Sequence, residues 1–158
     1  MKRLLLIFCI LFLLSSCSAS PENSVSYPLD FCGSYHTQLQ GNNFSFDIMS
    51  VNENGAAVKF TEPDFLNDYQ FTFSSEAVSI SSSELKLDYD VITTPFDDLY
   101  KLIKAVEDKE LSFLSRNNLL VSDVQVNDSV GRLYINPTDS AVVKIEINNT
   151  VFYKEVSE

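Results

Sequence analysis

The chain has 158 residues, of which 22 are acidic and 11 are basic, so its formal net charge at pH 7 is −11. Carboxylates spread along a chain argue against nucleic acid as a partner, because nucleic acid attracts basic patches that neutralise phosphates. They also argue against a domain that lies flat on an anionic bilayer. The length suits one ordinary domain rather than two.

The N-terminus has the pattern of an export signal. Lys2 and Arg3 precede an apolar run of eleven residues, and Leu14-Ser15-Ser16-Cys17 ends it. This run is too short to remain as a membrane-spanning helix, which needs about 20 residues. Its last four residues resemble the bacterial lipobox. The resemblance implies cleavage behind Ser16 and attachment of diacylglycerol to Cys17.

We therefore predict a lipoprotein signal peptide over residues 1–16, a flexible tether over 17–28 and a single β-rich domain over 29–158. The tether is rich in Ser, Pro and Asn, which suits a mobile linker. Removing the two basic residues of the signal leaves 9 basic against 22 acidic residues, a mature net charge of −13. The alternative is an ordinary secretory signal that is cut near Ala19, with Cys17 incidental.

The first half of the domain alternates apolar and polar residues with a period of two, which predicts antiparallel strands with one solvent-facing side. Residues 44–48 and 58–60 alternate in this way, and the turn signal Asn52-Glu-Asn-Gly55 between them indicates a hairpin. Further alternations occur at residues 69–73, 78–80 and 85–89.

The period then changes to that of a helix. Thr94 has the character of an N-cap residue and Pro95 of a first helical residue. Apolar residues recur at helical spacing from there, so we predict one amphipathic helix over residues 95–107. Asp97 and Asp98 are expected on its polar side. A short helical turn is predicted around residues 109–114.

Strand patterns return in the last third of the chain. We predict strands near residues 120–126, 130–136, 141–148 and 150–156. Residues 137–140 and 148–149 are rich in Pro, Asp and Asn and are expected to be turns. The fold class predicted from these patterns is α+β, mostly β, with an antiparallel sheet and one amphipathic helix on one face.

Side chains suited to catalysis are scarce. His36 is the only histidine, and a strand would place it about 13 Å from Cys32 at roughly 3.3 Å per residue. We therefore predict no catalytic residues, with Cys32 buried and His36 exposed. No zinc-ligand spacing occurs, and the pair Asp88 and Asp90 is expected to be solvated rather than to hold calcium. No enzyme activity, metal or cofactor is predicted.

Aromatic and aliphatic residues are the remaining candidates for a site. They could line an apolar cleft between the sheet and the helix, or they could pack on each other as the core, which a domain of this size needs. The possible cleft residues are Phe44, Phe46, Phe60, Phe71, Phe73, Phe96, Leu99 and Ile103.

The order of elements resembles that of a known superfamily. Val58-Lys-Phe-Thr-Glu-Pro63-Asp-Phe-Leu66 is a strand that ends in a proline and an apolar turn, and short strands, the Pro95 helix and the strands from Gly131 onward follow. This arrangement resembles the LolA-like superfamily, which includes LppX-type lipoproteins and RseB-type sensors. The resemblance implies a curved half-barrel sheet with a helix across its concave side, which holds acyl chains in the carriers.

The expected location is the extracytoplasmic face of the cell membrane, with a lipid anchor, or the outer membrane if the host is diderm. There the domain is predicted to act as a non-enzymatic protein-interaction or accessory module of the cell envelope. The alternative is a carrier that binds lipid or acyl chains in an apolar cleft. Its partner is accordingly an envelope protein or an apolar ligand.

Overall fold

The computed structural model describes residues 29–155, apart from residues 54, 76, 91–93 and 108. Within these ranges the chain forms one antiparallel sheet of eleven strands and one α-helix, α1 (Pro95–Glu107). A 3₁₀ turn at Asp64–Leu66 separates the third strand from the fourth. The strands are β1 (Gly33–Leu39), β2 (Asn42–Asn52), β3 (Gly55–Glu62), β4 (Gln70–Phe73), β5 (Ala77–Ser81), β6 (Lys86–Asp90), β7 (Leu114–Arg116), β8 (Leu119–Val126), β9 (Ser129–Ile135), β10 (Val142–Ile147) and β11 (Thr150–Lys154).

The strand order follows directly from the chain order. The strands β1 to β6 each pair with the next, so the first half of the domain builds outward from the middle of the sheet. The helix α1 then carries the chain to the opposite end, where β7 begins. The strands β7 to β11 build back until β11 pairs with β1, with Tyr35 opposite Lys154. The two ends of the sheet are therefore β6 and β7.

The sheet is curved, and the contacts of the helix require this curvature. The helix packs against β4, β8 and β10. The strands β4 and β8 are seven places apart in the sheet, which would separate them by about 34 Å if the sheet were flat. A helix of 13 residues is only about 20 Å long. The sheet therefore curls around α1, and the predicted α+β, mostly β class is confirmed.

Local chemistry accounts for the element boundaries. The helix has the predicted bounds, and the backbone N–H of Asp97 donates to Oγ1 of Thr94 at 3.1 Å, as expected of an N-cap. Asparagine turns connect neighbouring strands. Asn148 and Asn149 have φ angles of 47° and 63° between β10 and β11, a left-handed conformation that asparagine tolerates.

Two predictions for the helical region are wrong. No helical turn forms at residues 109–114, because Leu111 and Phe113 alternate with exposed residues and enter the core in an extended conformation before β7. Asp97 does not lie on the solvent side of α1: only 2 % of it is exposed. Nζ of Lys101 reaches its carboxylate at 2.6 Å, so the buried charge has a partner one turn along the helix.

Phe96 connects α1 to the aromatic residues of the sheet. Its ring lies 5.0 Å from that of Phe60 and 5.2 Å from that of Phe46, both edge to face, and 5.9 Å from that of Phe152. These contacts join the first turn of α1 to three strands of the sheet. Edge-to-face aromatic pairs add stabilisation beyond the apolar area they bury.

Candidate interaction surfaces

The eight predicted cleft residues are brought together by the fold. Six of them are buried, namely Phe46, Phe60, Phe73, Phe96, Leu99 and Ile103. The other two, Phe44 and Phe71, are half-buried at the margin of this cluster. The ring of Phe44 lies 6.3 Å from that of Phe96, and the ring of Phe71 lies 5.0 Å from that of Phe60. Six of these side chains belong to one hydrophobic cluster, and Phe44 and Phe71 pack against it.

An exposed apolar surface lies beyond this cluster, at one end of the concave face. On β6, Leu87 pairs with Ile80 and Tyr89 pairs with the buried Val78, so both side chains are on the core side of the sheet. Even so, Leu87 is 38 % exposed and Tyr89 is 40 % exposed. Leu85, two residues before Leu87, is 46 % exposed. These three side chains are called the β6 surface.

The strand that carries the β6 surface is also an open edge. In the described part of the chain, β6 pairs only with β5, so the backbone N–H and C=O groups on its other side have no strand partner. Proteins usually blunt such edges, since an unpaired strand is a template for another chain. The opposite edge, β7, has three residues and one exposed apolar side chain, Leu114. The β6 edge therefore offers a partner more apolar contact area than the β7 edge does.

The convex face carries a different surface, a row of polar and aromatic side chains in cross-strand register. Tyr134 and Lys144 are opposite each other on β9 and β10, and Lys144 is opposite Tyr153 on β11. Tyr153 is opposite His36 on β1, and their rings stack with centroids 5.4 Å apart. The ammonium of Lys144 lies 4.6 Å from the ring centroid of Tyr134. We call these residues, with Glu146, the convex-face row.

Electrostatic pairing holds the convex-face row in place. Nζ of Lys144 lies 2.5 Å from Oε1 of Glu146, and the hydroxyl of Tyr134 donates to Oε2 at 3.1 Å. Partial burial raises the pKa of Glu146. The hydrogen bonds from Lys144 and Tyr134 lower it by more, so the resulting pKa is below its ordinary value. The hydrogen bond to Glu146 raises the pKa of Lys144. Each charge is satisfied by its neighbours.

A guanidinium–carboxylate pair extends the polar surface toward β8. Arg132 donates to both carboxylate oxygens of Asp123, at 2.6 and 3.1 Å. This hydrogen bonding lowers the pKa of Asp123 more than its slight burial raises it. Paired charges of this kind order a surface and supply no free acid or base.

Cys32 and His36 do not form a pair. The structure shows no hydrogen bond between them, and the ring of His36 stacks on Tyr153 instead. His36 is exposed, as predicted. The prediction that Cys32 is buried is wrong: its side chain is exposed because it lies just before β1, where its backbone N–H donates to Oδ1 of Asp30 at 2.9 Å.

The acidic residues of β6 have other contacts. Oδ1 of Asp88 accepts a hydrogen bond from Oγ of Ser79 at 2.5 Å, and the side chain of Asp90 lies outside the described part. Across the described ranges, no three His, Cys, Asp or Glu side chains cluster as metal ligands.

The predicted anchor lies outside the described residues. Ser16, Cys17 and the predicted tether all precede residue 29, the first residue that the structure describes. Among the described residues, no helix combines the length and the apolar character that crossing a membrane requires.

Neither surface was identified as a site from the sequence. Leu85, Leu87 and Tyr89 show the same alternation as the buried phenylalanines, so the pattern contains no signal of their exposure. The convex-face row is visible only when β1, β9, β10 and β11 are aligned. No protein-family model matches the sequence, and a search of curated proteins found no match either, so the LolA-like resemblance stays a prediction.

Proposed function

We propose that this chain is a lipid-anchored, non-enzymatic protein-interaction module on the extracytoplasmic side of a cell membrane. The observation that carries the proposal is the β6 surface: three exposed apolar side chains on an open strand edge. A partner that adds a strand to β6 would satisfy its free backbone groups and cover Leu85, Leu87 and Tyr89 at once.

Composition is consistent with this role. Tyrosine is enriched at protein interfaces, and charged residues are depleted at the interface core. The tether would let the domain reach partners away from the bilayer.

A lipid carrier is the second candidate, supported by the curved sheet and by the half-buried Phe44 and Phe71 at the margin of the aromatic cluster. An acyl chain would have to part side chains that now contact one another, such as Phe46 and Phe96. We prefer the interaction module because the β6 surface needs no such rearrangement.

Site-specific crosslinking tests the proposal in cells that export the full chain. A photoreactive residue in place of Leu87 is expected to crosslink to a protein. The same residue in place of Val130, which is 56 % exposed on the convex side, serves as the matched apolar control. Protein crosslinks at both positions alike, or at neither, would contradict the proposal.

A fluorescent fatty acid separates the two candidates. The interaction module is expected to leave its fluorescence unchanged at micromolar protein. Saturable binding that is lost in a Phe44→Asp variant, with folding unchanged, would favour the carrier instead.

A further inference from the structure

The sequence of β6 is complementary to itself. Leu87 is at the centre, Lys86 and Asp88 flank it on the solvent side, and Tyr89 lies on the apolar side. Leu85, immediately before the strand, continues the same alternation. When two antiparallel copies of such a strand meet about a two-fold axis at Leu87, each Lys86 lies opposite the other copy's Asp88. Each Leu85 then lies opposite the other copy's Tyr89.

We propose that β6 pairs with β6 of a second copy of this chain, joining two eleven-stranded sheets into one. The inference rests on the proposed function and names the partner that the β6 edge binds. A two-fold contact of this kind ends with two copies, because each copy uses the same strand and no free β6 edge remains.

Charge disfavours the two neighbouring two-fold registers. Centring the pair on Asp88 would place that carboxylate opposite itself, and centring it on Lys86 would do the same for the ammonium. Like charges directly opposite each other destabilise a sheet. A shift of one residue would place polar side chains opposite apolar ones.

In the Leu87-centred register every pair over residues 85–89 is favourable, with two opposite-charge pairs on one face and three apolar pairs on the other. Beyond these pairs, each Glu84 comes opposite the other copy's Asp90, so one like-charge pair flanks the favourable pairs at each end. The concave faces of the two copies would then lie on the same side of the joined sheet, so the two β6 surfaces contact each other side by side.

The strong negative charge of the domain opposes association in free solution. Anchoring both copies in one membrane would offset this by raising their effective concentration. The experiment therefore uses the full, exported chain in the membrane of its expression host, in two forms that carry different affinity tags.

Recovery of one tagged form with the other, after mild solubilisation, measures pairing. When both copies carry Lys86→Asp, an acid lies opposite an acid in both of the 86–88 pairs. When both copies carry Asp88→Lys, a base lies opposite a base in both pairs. Each variant, expressed in both tagged forms, is expected to lower co-recovery about tenfold or more. Mixing the Lys86→Asp form with the Asp88→Lys form restores two opposite-charge pairs and is expected to restore co-recovery.

Matched controls change charge by the same amount elsewhere. Lys109→Asp and Asp128→Lys alter exposed residues away from β6 and are expected to leave co-recovery unchanged. Equal loss in these controls would show a general charge effect and overturn the inference, as would undiminished recovery in either β6 variant. Loss without recovery on mixing would also overturn it.

The outcome is distinguishable from that of the proposed function. If two tagged copies never recover each other but the Leu87 position crosslinks to another protein, the self-pairing fails and the interaction module stands. If neither co-recovery nor a protein crosslink at Leu87 occurs, both fail.

Discussion

Replacing Gly131 by alanine tests how closely α1 is seated on the sheet. Gly131 is buried on β9, and a Cβ at this position would lie 1.8 Å from Cδ1 of Leu102, 3.3 Å from its Cγ and 3.5 Å from Cδ1 of Ile147. Ordinary carbon contacts are about 3.5–4.0 Å. Leu102 is fully buried at 0 % exposure, so its methyl group cannot move into solvent.

The magnitude follows from two opposing effects. Overpacking a core usually costs about 1–3 kcal/mol, whereas alanine in a strand is favoured over glycine by roughly 0.5–1 kcal/mol. We expect Gly131→Ala to lower the free energy of unfolding by about 1–2 kcal/mol and the Tm by roughly 3–8 °C.

Urea unfolding followed by circular dichroism measures this effect, since the chain has no tryptophan for fluorescence. A Leu102→Ala background is the control. That change alone is expected to cost about 2–5 kcal/mol, but it removes the obstructing methyl groups. Gly131→Ala should then be neutral or stabilising, a coupling between the two sites. Equal destabilisation in both backgrounds, or none in the native one, would refute the close seating of α1.

Three further predictions concern the anchor, the core and the convex face. Cys17→Ala is expected to abolish a diacylglyceryl mass on the membrane-extracted chain; an unmodified native chain cut near Ala19 would contradict the anchor. Oγ of Ser122 is buried without a hydrogen-bond partner in the described structure, so Ser122→Ala is expected to keep or raise stability, by up to about 1 kcal/mol, in urea unfolding. A clear loss would show that this hydroxyl is satisfied. Arg132 lowers the pKa of Asp123 from its ordinary value of 3.8, so the pair stabilises the fold above that pH and loses its effect as pH falls through the lower folded value. Arg132→Ala should therefore lower the stability slightly at pH 7, and this loss should shrink as the pH falls through the folded pKa of Asp123; a loss that stays the same over that pH range would contradict this reasoning.

Much of the fold could be predicted from the sequence because the responsible signals are local. The Thr94 and Pro95 pair marks the start of α1, and the helical spacing of apolar residues continues to its end at Glu107. The turns at Asn52–Gly55 and Asn148–Asn149 joined the strands that the alternation predicted. Each of these features depends on residues within a few positions of one another.

The candidate site could be predicted only in part. The eight apolar residues come together because alternation assigns five of them to the core side of their strands and helical spacing assigns Phe96, Leu99 and Ile103 to the core side of α1. The exposure of the β6 surface could not be foreseen, and neither could the burial of Asp97, because α1 covers one part of the sheet and not another. The predicted burial of Cys32 is wrong for a similar reason. The sequence around a small apolar residue next to a strand contains no information on whether another part of the chain covers it.

The sequence by itself determined where α1 and most of the strands lie and which face of each strand is apolar. Only the tertiary structure decided that β11 returns to β1, that the sheet curls around α1, and that Phe60 is buried while Leu87 is exposed. The physical reason is that alternation fixes the direction of a side chain, whereas its burial depends on what the distant parts of the chain place over that face.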